Sequence, residues 1–307
     1  MNTNCVIVEI DNYLASLRNL KYSPRSIQAF KIALNKFTLF LETNNIKRLQ
    51  DVSLDTLDAY RLLLVKEELT GQSIHFYLRS VRKFFAFLEN AGSVFINPAA
   101  NMRIPRPDRL LQPIPSQEEM IILLQQPDTA TPAGIRDRAL IETLYSTGVR
   151  LEELVQMKIK DIDTKQKTVR VIGKGSKERI VPIGSKALES IAQYIKDVRP
   201  RFAAKAKQAR KINPNERFLW LGEQGRRMNI LIIGRAIKAY GEKAGIDCPV
   251  TPHSIRRACA THLLQNNAHP IMLQLMLGHN SLNSLSQYLR VAITDLKTMH
   301  SKGRPGR

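Results

Sequence analysis

The sequence predicts a mainly α-helical protein with a small β-sheet, arranged as two domains. Apolar residues recur at helical spacing before residue 91, and proline and arginine interrupt this pattern over residues 91–115. The helical pattern then resumes and gives way to β-branched runs only within residues 167–183. We therefore expect an N-terminal helical domain over residues 1–104, a basic, proline-rich linker over residues 105–115, and a second domain over residues 116–307.

Four helices are expected in the first domain, over residues 7–19, 23–44, 53–65 and 72–90. Ser23 is a good N-cap for the second of them, and Pro24 suits its first turn. Phe84, Phe85 and Phe87 could stack on nucleic-acid bases, but their spacing fits a packed helix face better. We expect these aromatic rings to belong to a helical core.

In the second domain, helices are expected from Ser116, over residues 134–146, and from about Arg150 after a turn at Thr147 and Gly148. Ser116 and Glu119 have the spacing of a capping box. The β-branched runs Thr168–Ile172 and Arg179–Ile183 flank a glycine-rich turn, which predicts a β-hairpin. Helices dominate the rest of this domain.

The formal net charge of +20, from 47 Lys and Arg against 27 Asp and Glu, makes a polyanion the expected partner. Nucleic acid and an anionic membrane surface would both fit that charge. Residues 1–104 carry 13 basic and 9 acidic residues, whereas residues 105–307 carry 34 and 18. Lys158–Lys211 alone holds 16 basic and 5 acidic residues. An excess this one-sided favours nucleic acid over a merely solvated lysine-rich surface.

Several classes of protein are excluded by composition. No apolar run approaches the roughly 20 residues that a membrane span needs. Glu9 and Asp11 stand where a signal peptide would be basic and then apolar. Three cysteines make an odd, sparse set, which is no disulfide framework and suits a reducing compartment. We expect a cytoplasmic, nucleoid-associated protein with no membrane partner.

Arg150 is the first candidate for chemistry, within the run Thr147–Leu154. A guanidinium at the start of a helix can grip a phosphate with two donors. An ion pair with Glu153 is the alternative, and it is the commoner arrangement for an isolated arginine beside a glutamate.

Lys174 is the second candidate, in the glycine-rich turn of the predicted hairpin. The spacing of a nucleotide-binding P-loop is absent, so that interpretation fails. A lysine on a flexible turn can instead reach into a DNA groove, although a solvated turn lysine is the simpler alternative.

The richest cluster lies near the C-terminus. His253 and Arg256 share one helix face at spacing i and i+3, and His279 and Tyr288 follow. Zinc must be weighed because Cys248, His253, Cys259 and His262 lie close together in sequence. No Cys-x-x-Cys or His-Glu-x-x-His spacing is present, so no metal site is predicted.

Together these residues resemble the tyrosine recombinase, or phage integrase, family, with the strongest likeness to Xer-type members. The likeness covers nearly the whole chain, from a SAM-like four-helix core-binding domain to a C-terminal catalytic domain. The family signature is matched residue by residue by Arg150, Lys174, His253, Arg256, His279 and Tyr288. One departure is Arg290, where many relatives have histidine, and it is not one of the six signature positions.

The resemblance implies site-specific DNA recombination without metal, ATP or another cofactor. Tyr288 would attack the scissile phosphate and form a 3′-phosphotyrosine, which a partner 5′-hydroxyl resolves through a Holliday junction. The catalytic roles it implies are charge neutralisation by Arg150 and Arg256, hydrogen bonding by His279, general acid catalysis by Lys174 and base catalysis by His253. Glu153 is expected to support the active-site arginines.

The implied partners are duplex DNA with a specific recombination site, further copies of the chain in a tetrameric synapse, and a second recombinase or accessory protein as an optional addition. The residues expected to contact DNA are Arg103, Arg106, Arg109, Lys177, Arg179 and Arg257. The helical spacing after Tyr288 leaves docking on a neighbouring protomer or on its own protomer open.

Three rival functions remain to be distinguished by experiment. They are a non-catalytic DNA-binding protein on the same scaffold, a metal-dependent nuclease, and a type IB topoisomerase-like enzyme with no partner strand. All six signature positions are filled, which argues against a decayed, non-catalytic chain.

Overall fold

The structure, a computed structural model, describes residues 3–105, 112–173, 177–208 and 218–278. The chain forms two compact units, Met1–Leu110 and Leu111–Arg307. Each unit encloses its own hydrophobic core. Among the helices in the described ranges, none is long and apolar enough to cross a bilayer.

The described part of the first unit is built from α1 (Thr3–Asn19), α2 (Pro24–Thr43), α3 (Leu54–Lys66) and α4 (Gly71–Asn90), with a short 3₁₀ turn at Leu49–Asp51. As predicted, Ser23 caps α2, and its Oγ accepts the Ser26 backbone N–H at 3.1 Å. Thr70 caps α4 through the Ser73 N–H, so this helix begins at Gly71, one residue before the predicted start. The four-helix prediction for this unit is confirmed.

Aromatic rings fill the first unit's core. Phe84 and Phe85 are fully buried. The Tyr13 ring centroid lies 5.6 Å from that of Phe84 and 5.4 Å from that of Phe87. Phe37 lies 6.1 Å from Phe85 in an edge-to-face arrangement. As predicted, these rings are spaced along the helices to pack in the core, and they do not form an exposed surface for stacking on bases.

The segment that follows α4 packs back onto the same unit. Arg82 donates from Nε to the Ala99 carbonyl at 3.2 Å and from a terminal nitrogen to the Met102 carbonyl. His75 Nδ1 lies 3.1 Å from the Pro105 carbonyl. These contacts fix the described beginning of the proline-rich stretch, and Arg103 within it is exposed.

The second unit contains, in chain order, α5 (Gln117–Gln125), α6 (Pro132–Thr147), α7 (Leu151–Gln156), β1 (Ile162–Asp163), β2 (Thr168–Ile172), β3 (Glu178–Pro182), α8 (Ser185–Gln193), α9 (Arg199–Gln208), α10 (Ile230–Lys243), α11 (Pro252–Gln265) and α12 (Pro270–Leu277). The Ser116–Glu119 capping box forms at α5. Thr131 caps α6, which therefore starts two residues before the predicted residue 134. The predicted fold class, mainly helical with a small sheet, is confirmed.

The three strands form one antiparallel sheet in the order β1-β2-β3. Val169 pairs with Val181. Beyond the last strand pair, Ile172–Glu178, the Gly173 N–H donates to the Lys177 carbonyl at 2.8 Å. Val169 and Val181 are fully buried, whereas Ile180, which pairs with Arg170 and points to the other face of the sheet, is exposed. The predicted hairpin is present, with its second strand one residue earlier than expected.

Helices α6 and α11 pack against each other at the centre of the second unit. Every residue from Ser254 to His262 is buried. Arg136 and Asp137 are also buried in α6, where they form an ion pair at 2.8 Å, and the Tyr240 hydroxyl donates to Asp137 at 3.0 Å. This packing places the first turn of α11 against the residues that end α6.

Candidate active site

A tight turn between α6 and α7 positions Arg150. Gly148 ends α6 in the left-handed conformation, with φ 57°, which glycine adopts without strain. A Cβ at Gly148 would also lie 2.9 Å from Leu277 Cδ2, so a side chain there would have to displace Leu277. Arg150 then caps α7 with its side chain 43% exposed. Its guanidinium can therefore reach a phosphate in solvent.

Glu153, in the first turn of α7, holds Arg150 from below. Its carboxylate accepts the Arg150 backbone N–H at 2.8 Å and the Arg150 guanidinium at 3.1 Å. The ion pair that the sequence offered as an alternative is thus present, and the Arg150 side chain is still accessible. Burial pushes the pKa of Glu153 upward, but hydrogen bonds and positive charge from Arg179 and Arg150 outweigh burial and lower it. Glu153 is therefore ionised at neutral pH.

Arg179, for which a DNA contact is predicted, points into the protein. Its two terminal nitrogens donate to the two carboxylate oxygens of Glu153 at 2.8 and 2.7 Å. Its Nε donates to the Met276 carbonyl at 2.8 Å, and the side chain is 15% exposed. This orientation joins β3 to α7 and α12 and does not support a DNA contact, because the guanidinium is turned away from solvent.

Arg256, in the second turn of α11, bridges two segments of the site. One terminal nitrogen donates to the Gly148 carbonyl at 2.6 Å and the other to the Leu277 carbonyl at 2.7 Å. The residue is 3% exposed. Arg256 therefore ties the turn that carries Arg150 to the end of α12.

His253 lies one turn of α11 before Arg256 on the same face. The capping box of Thr251 and Ser254 fixes this first turn, with backbone-to-hydroxyl distances of 2.8 and 3.0 Å. His253 reaches solvent, but partial burial lowers the pKa of its ring, and the charges of Arg257, Arg256 and Arg150 lower it further. The imidazole is therefore neutral at neutral pH and able to accept a proton.

Arg257, a second predicted DNA contact, is also directed inward. It is 7% exposed and donates to the backbone carbonyl of Gln112. The bond joins α11 to the beginning of the second unit, so the orientation of this side chain does not support a DNA contact either. Lys177 and Arg103 are exposed, as a DNA contact requires.

Five predicted site residues lie outside the described ranges: Arg106, Arg109, Lys174, His279 and Tyr288. The glycines that precede two of them are described. A Cβ on Gly173, before Lys174, would lie 3.2 Å from Glu153 Oε1. A Cβ on Gly278, before His279, would lie 3.1 Å from the Arg179 guanidinium carbon. Both segments therefore begin against the Glu153–Arg179 pair.

The residues considered for zinc do not gather into a site. Within the described ranges, no group of three or more His, Cys, Asp or Glu side chains could hold a metal ion. His262 Nδ1 lies 2.9 Å from the Tyr145 hydroxyl. Burial raises the pKa of the Cys259 thiol to about 12, which disfavours the thiolate that binds zinc.

A basic groove in the first unit was not anticipated from the sequence. It has a volume of about 460 Å³, lies between α2 and α4, and carries Arg25, Arg79 and Lys83. The Lys83 ammonium lies over the rings of Tyr22 and Phe30, 5.6 and 5.5 Å from their centroids. Spacing i and i+4 puts Arg79 and Lys83 on one face of α4. Only the packing of α4 against α2 brings Arg25 beside them.

Family comparisons agree with this arrangement over most of the chain. Residues 116–294 match the phage integrase family, and residues 10–92 match the phage integrase N-terminal SAM-like domain. The tyrosine recombinase XerD of Staphylococcus epidermidis is 30% identical over 302 residues, which is 98% of this chain and 99% of the relative. The tyrosine recombinase XerC 2 of Ralstonia nicotianae is 32% identical over 294 residues, which is 93% of this chain and 82% of the relative.

Solved structures share the fold. The XerH site-specific recombinase bound to a palindromic difH substrate matches with a TM-score of 0.74 and 19% identity, over 95% of this chain and 83% of that one. A lambda integrase dimer bound to a COC′ core site matches with a TM-score of 0.72 and 16% identity, over 92% and 94%. The resemblance inferred from the signature residues is confirmed. The chain belongs to the phage integrase family of tyrosine recombinases, enzymes that cleave and rejoin DNA in site-specific recombination.

Proposed function

We propose that this chain recombines duplex DNA at a specific site, with Tyr288 as the nucleophile. The observation that supports this best is the meeting of Arg150, His253 and Arg256. Arg256 is bonded to the carbonyl of Gly148, two residues before Arg150. The charges of Arg150 and Arg256 both lower the pKa of His253. Two cations thus lie near a neutral imidazole, which supports their assignment to charge neutralisation and proton transfer at a phosphodiester.

In the proposed reaction, the Tyr288 hydroxyl oxygen bonds to phosphorus as the bond to the 5′-oxygen breaks. His253 takes the proton from Tyr288, and Lys174 gives one to the leaving 5′-oxygen. The product is a 3′-phosphotyrosine with a free 5′-hydroxyl. A 5′-hydroxyl from a second duplex reverses the step, so the phosphodiester energy is kept and no ATP is needed.

Arg150 and Arg256 would neutralise the non-bridging oxygens of the transition state, with a hydrogen bond from His279. Arg150, at 43% exposure, is the more accessible of the two arginines. Cations in these positions supply the electrostatic stabilisation that metal ions give in other phosphoryl-transfer enzymes. The chemistry therefore needs no metal.

Both units would contact DNA. We assign residues 1–104 to a core-binding domain, residues 105–115 to a linker along the backbone, and residues 116–307 to catalysis. Exposure of Lys177 and Arg103 supports phosphate contacts at those positions, and Arg106 and Arg109 continue the basic linker. The basic groove adds Arg25, Arg79 and Lys83 to the surface that would face DNA.

A solved structure with the same fold supports the proposed assembly on DNA. One solved lambda integrase structure is a tetramer bound to a Holliday junction, and it matches this chain with a TM-score of 0.72. We propose that this chain likewise acts as a tetramer on two sites and works in the cytoplasm on the nucleoid.

The test is capture of the covalent intermediate. Binding sites selected from a random duplex library would be nicked beside the cleavage position and incubated with the protein. A protein–DNA adduct that resists denaturing electrophoresis is expected. Tyr288→Phe should remove the adduct while leaving DNA binding intact, and an adduct that survives this substitution would contradict the assignment.

The rival functions give different results in the same assays. Cleavage that disappears in a chelator would indicate a metal-dependent nuclease. Relaxation of any supercoiled plasmid, without dependence on site, would indicate a topoisomerase-like enzyme. Site-specific binding with no adduct would indicate a non-catalytic DNA-binding protein.

A further inference from the structure

The ion pair Glu153–Arg179 contacts three segments of the second unit that carry or precede a proposed catalytic residue. They are the start of α7 with Arg150, the end of β2 with Gly173, and the end of α12 with Gly278. Glu153 binds Arg150 through both the backbone N–H and the guanidinium. Arg179 binds the Met276 carbonyl, two residues before Gly278. The pair is 5% exposed on the glutamate side and 15% on the arginine side.

Two glycines approach this pair closely, and each directly precedes a residue of the signature. A Cβ at Gly173, before Lys174, would lie 3.2 Å from Glu153 Oε1 and 3.4 Å from a terminal nitrogen of Arg179. A Cβ at Gly278, before His279, would lie about equally close to three atoms of the Arg179 guanidinium, at 3.1 to 3.2 Å. The backbones of both segments therefore rest on the same planar group.

The geometry needs arginine in particular. The two terminal nitrogens of Arg179 donate to the two carboxylate oxygens of Glu153, and its Nε donates to the Met276 carbonyl in α12. A lysine in this position has one ammonium and can satisfy only part of this set. Because all three guanidinium nitrogens of Arg179 are bonded to α7 and α12, Arg179 is poorly placed to neutralise a DNA phosphate.

We propose that Arg179 is a positioning residue for strand cleavage. It fixes the position of Glu153 and, through Glu153, that of the Arg150 guanidinium. Both are thereby held at a fixed distance from Gly173 and Gly278, which precede Lys174 and His279. The inference rests on the proposed function, because it assigns Arg179 to the geometry of that active site. It replaces the DNA contact that the sequence predicts for this residue.

The test separates cleavage from binding for Arg179→Ala. Single-turnover adduct formation on nicked DNA would be measured at saturating protein, and the DNA dissociation constant at several salt concentrations. We expect the cleavage rate to fall by about 100-fold, as for a small misplacement of catalytic groups. The affinity and its salt dependence should stay at the wild-type level.

Three further variants identify the cause of the loss. Arg179→Lys keeps the positive charge and should remain defective, because the paired donors are lost. Lys177→Ala, two residues away and exposed, should reduce the slope of log affinity against log salt by about 0.9 if it loses one phosphate contact. Arg170→Ala is the matched control, since Arg170 lies in the same hairpin and pairs with Asp161 and Glu178 but not with Glu153.

A second pair of variants keeps the test decisive if Arg179→Ala does not fold. Gly278 and Gly245 have nearly the same backbone conformation, with φ 65° and 66°. An added methyl group meets the Arg179 guanidinium at Gly278 and open space at Gly245. Gly278→Ala should therefore slow cleavage, while Gly245→Ala, with equal backbone strain, should cleave at the wild-type rate.

The outcomes are distinct. If Arg179→Ala cleaves at the wild-type rate at saturating protein and its DNA affinity depends less steeply on salt, Arg179 is a DNA contact and the inference is overturned. Equal cleavage by Gly278→Ala and Gly245→Ala would also overturn it. If the wild-type protein forms no Tyr288-dependent adduct, the proposed function fails, and the inference falls with it.

Discussion

The interiors of the two units are built from different chemistry. In the described residues of the first unit, the buried residues are apolar or aromatic apart from Ser80 and Asn97. The second unit buries a set of charged and titratable side chains: Arg136, Asp137, Glu142, Glu153, Asp161, Arg256, Arg257 and His262. The first unit keeps Arg25, Arg79 and Lys83 at a surface groove.

This difference separates two uses of positive charge. A cation at the surface can bind a polyanion, with a strength that depends on salt. A buried ion pair contributes little net stability, because desolvation offsets its attraction, but it fixes the segments that it joins. The basic groove of the first unit therefore suits DNA binding, whereas Arg179 in the second unit holds segments of the candidate active site together.

The largest effect on stability is expected in the first unit's core. Phe84 is fully buried, and Phe84→Ala should lower the free energy of unfolding by about 4 kcal/mol. Phe95→Ala is the control, because that ring is 98% exposed, and its change should stay within about 0.5 kcal/mol. Trp220, the single tryptophan, lies in the second unit. Phe84→Ala should thus shift part of the helical circular dichroism transition and leave the fluorescence midpoint unchanged.

The next effect should appear in the second unit. Glu153→Gln leaves Arg179 buried beside a neutral amide, which should lower the free energy of unfolding by about 3 kcal/mol. Urea unfolding followed by Trp220 fluorescence measures this directly. Glu152→Gln, on the neighbouring and exposed position of α7, should change it by less than about 0.5 kcal/mol. Equal destabilisation by the two variants would contradict the structural role of Glu153.

The same variant should alter the acid sensitivity of the second unit. The pKa of Glu153 is lower in the folded protein than in the unfolded chain, so the unfolded chain binds more protons at pH values between the two pKa values. The stability that ionised Glu153 contributes is complete above the unfolded pKa of about 4.3 and is lost as pH falls through the folded pKa. The gap in stability between wild type and Glu153→Gln should therefore narrow below that pH. A constant gap would show that Glu153 titrates normally.

A smaller effect concerns the pH dependence of cleavage. Burial and the neighbouring arginines lower the pKa of His253, so its neutral form persists below the usual value of about 6.5. The cleavage rate at saturating protein should therefore stay level from neutral pH to below about 6.5, and should fall by about tenfold per pH unit only below the lowered pKa of His253. His75→Gln, in the first unit, should leave this profile unchanged. An acid limb centred above 6.5 would contradict the assignment of His253 as the base.

The smallest effect is expected for the cations of the groove. Lys83→Ala should weaken DNA binding to all sequences alike and reduce the salt slope by about 0.9. Lys31→Ala, on α2 but outside the groove, should leave the slope unchanged. Binding titrations at several salt concentrations make the comparison. If Lys31 and Lys83 behave alike, the groove has no special part in holding DNA.

Local patterns predicted most of the elements. The capping residues Ser23 and Ser116 and the glycine turn of the hairpin act over a few residues, so they can be read directly from the chain. The predicted starts differ from the observed ones by four residues at α1, one at α4 and two at α6. At α4 and α6 a capping threonine, Thr70 or Thr131, sets the earlier start.

The direction of each arginine was the least predictable property. Arg179 and Arg257 stand in strongly basic segments, and both turn inward to groups far away in sequence. Lys177, in the same hairpin as Arg179, is exposed. A period of two along a strand tells which residues share a face, but not what that face meets.

Helix periodicity, caps and short motifs are local, so the family, the fold class and the set of candidate catalytic residues can be inferred from the chain alone. Which cations face solvent and which hold the protein together depends on how the chain packs. Contacts such as Arg179 to Met276 and Arg257 to Gln112 join residues that are 97 and 145 positions apart. Burial is a property of the packed core, so it separates side chains that look equivalent along the chain.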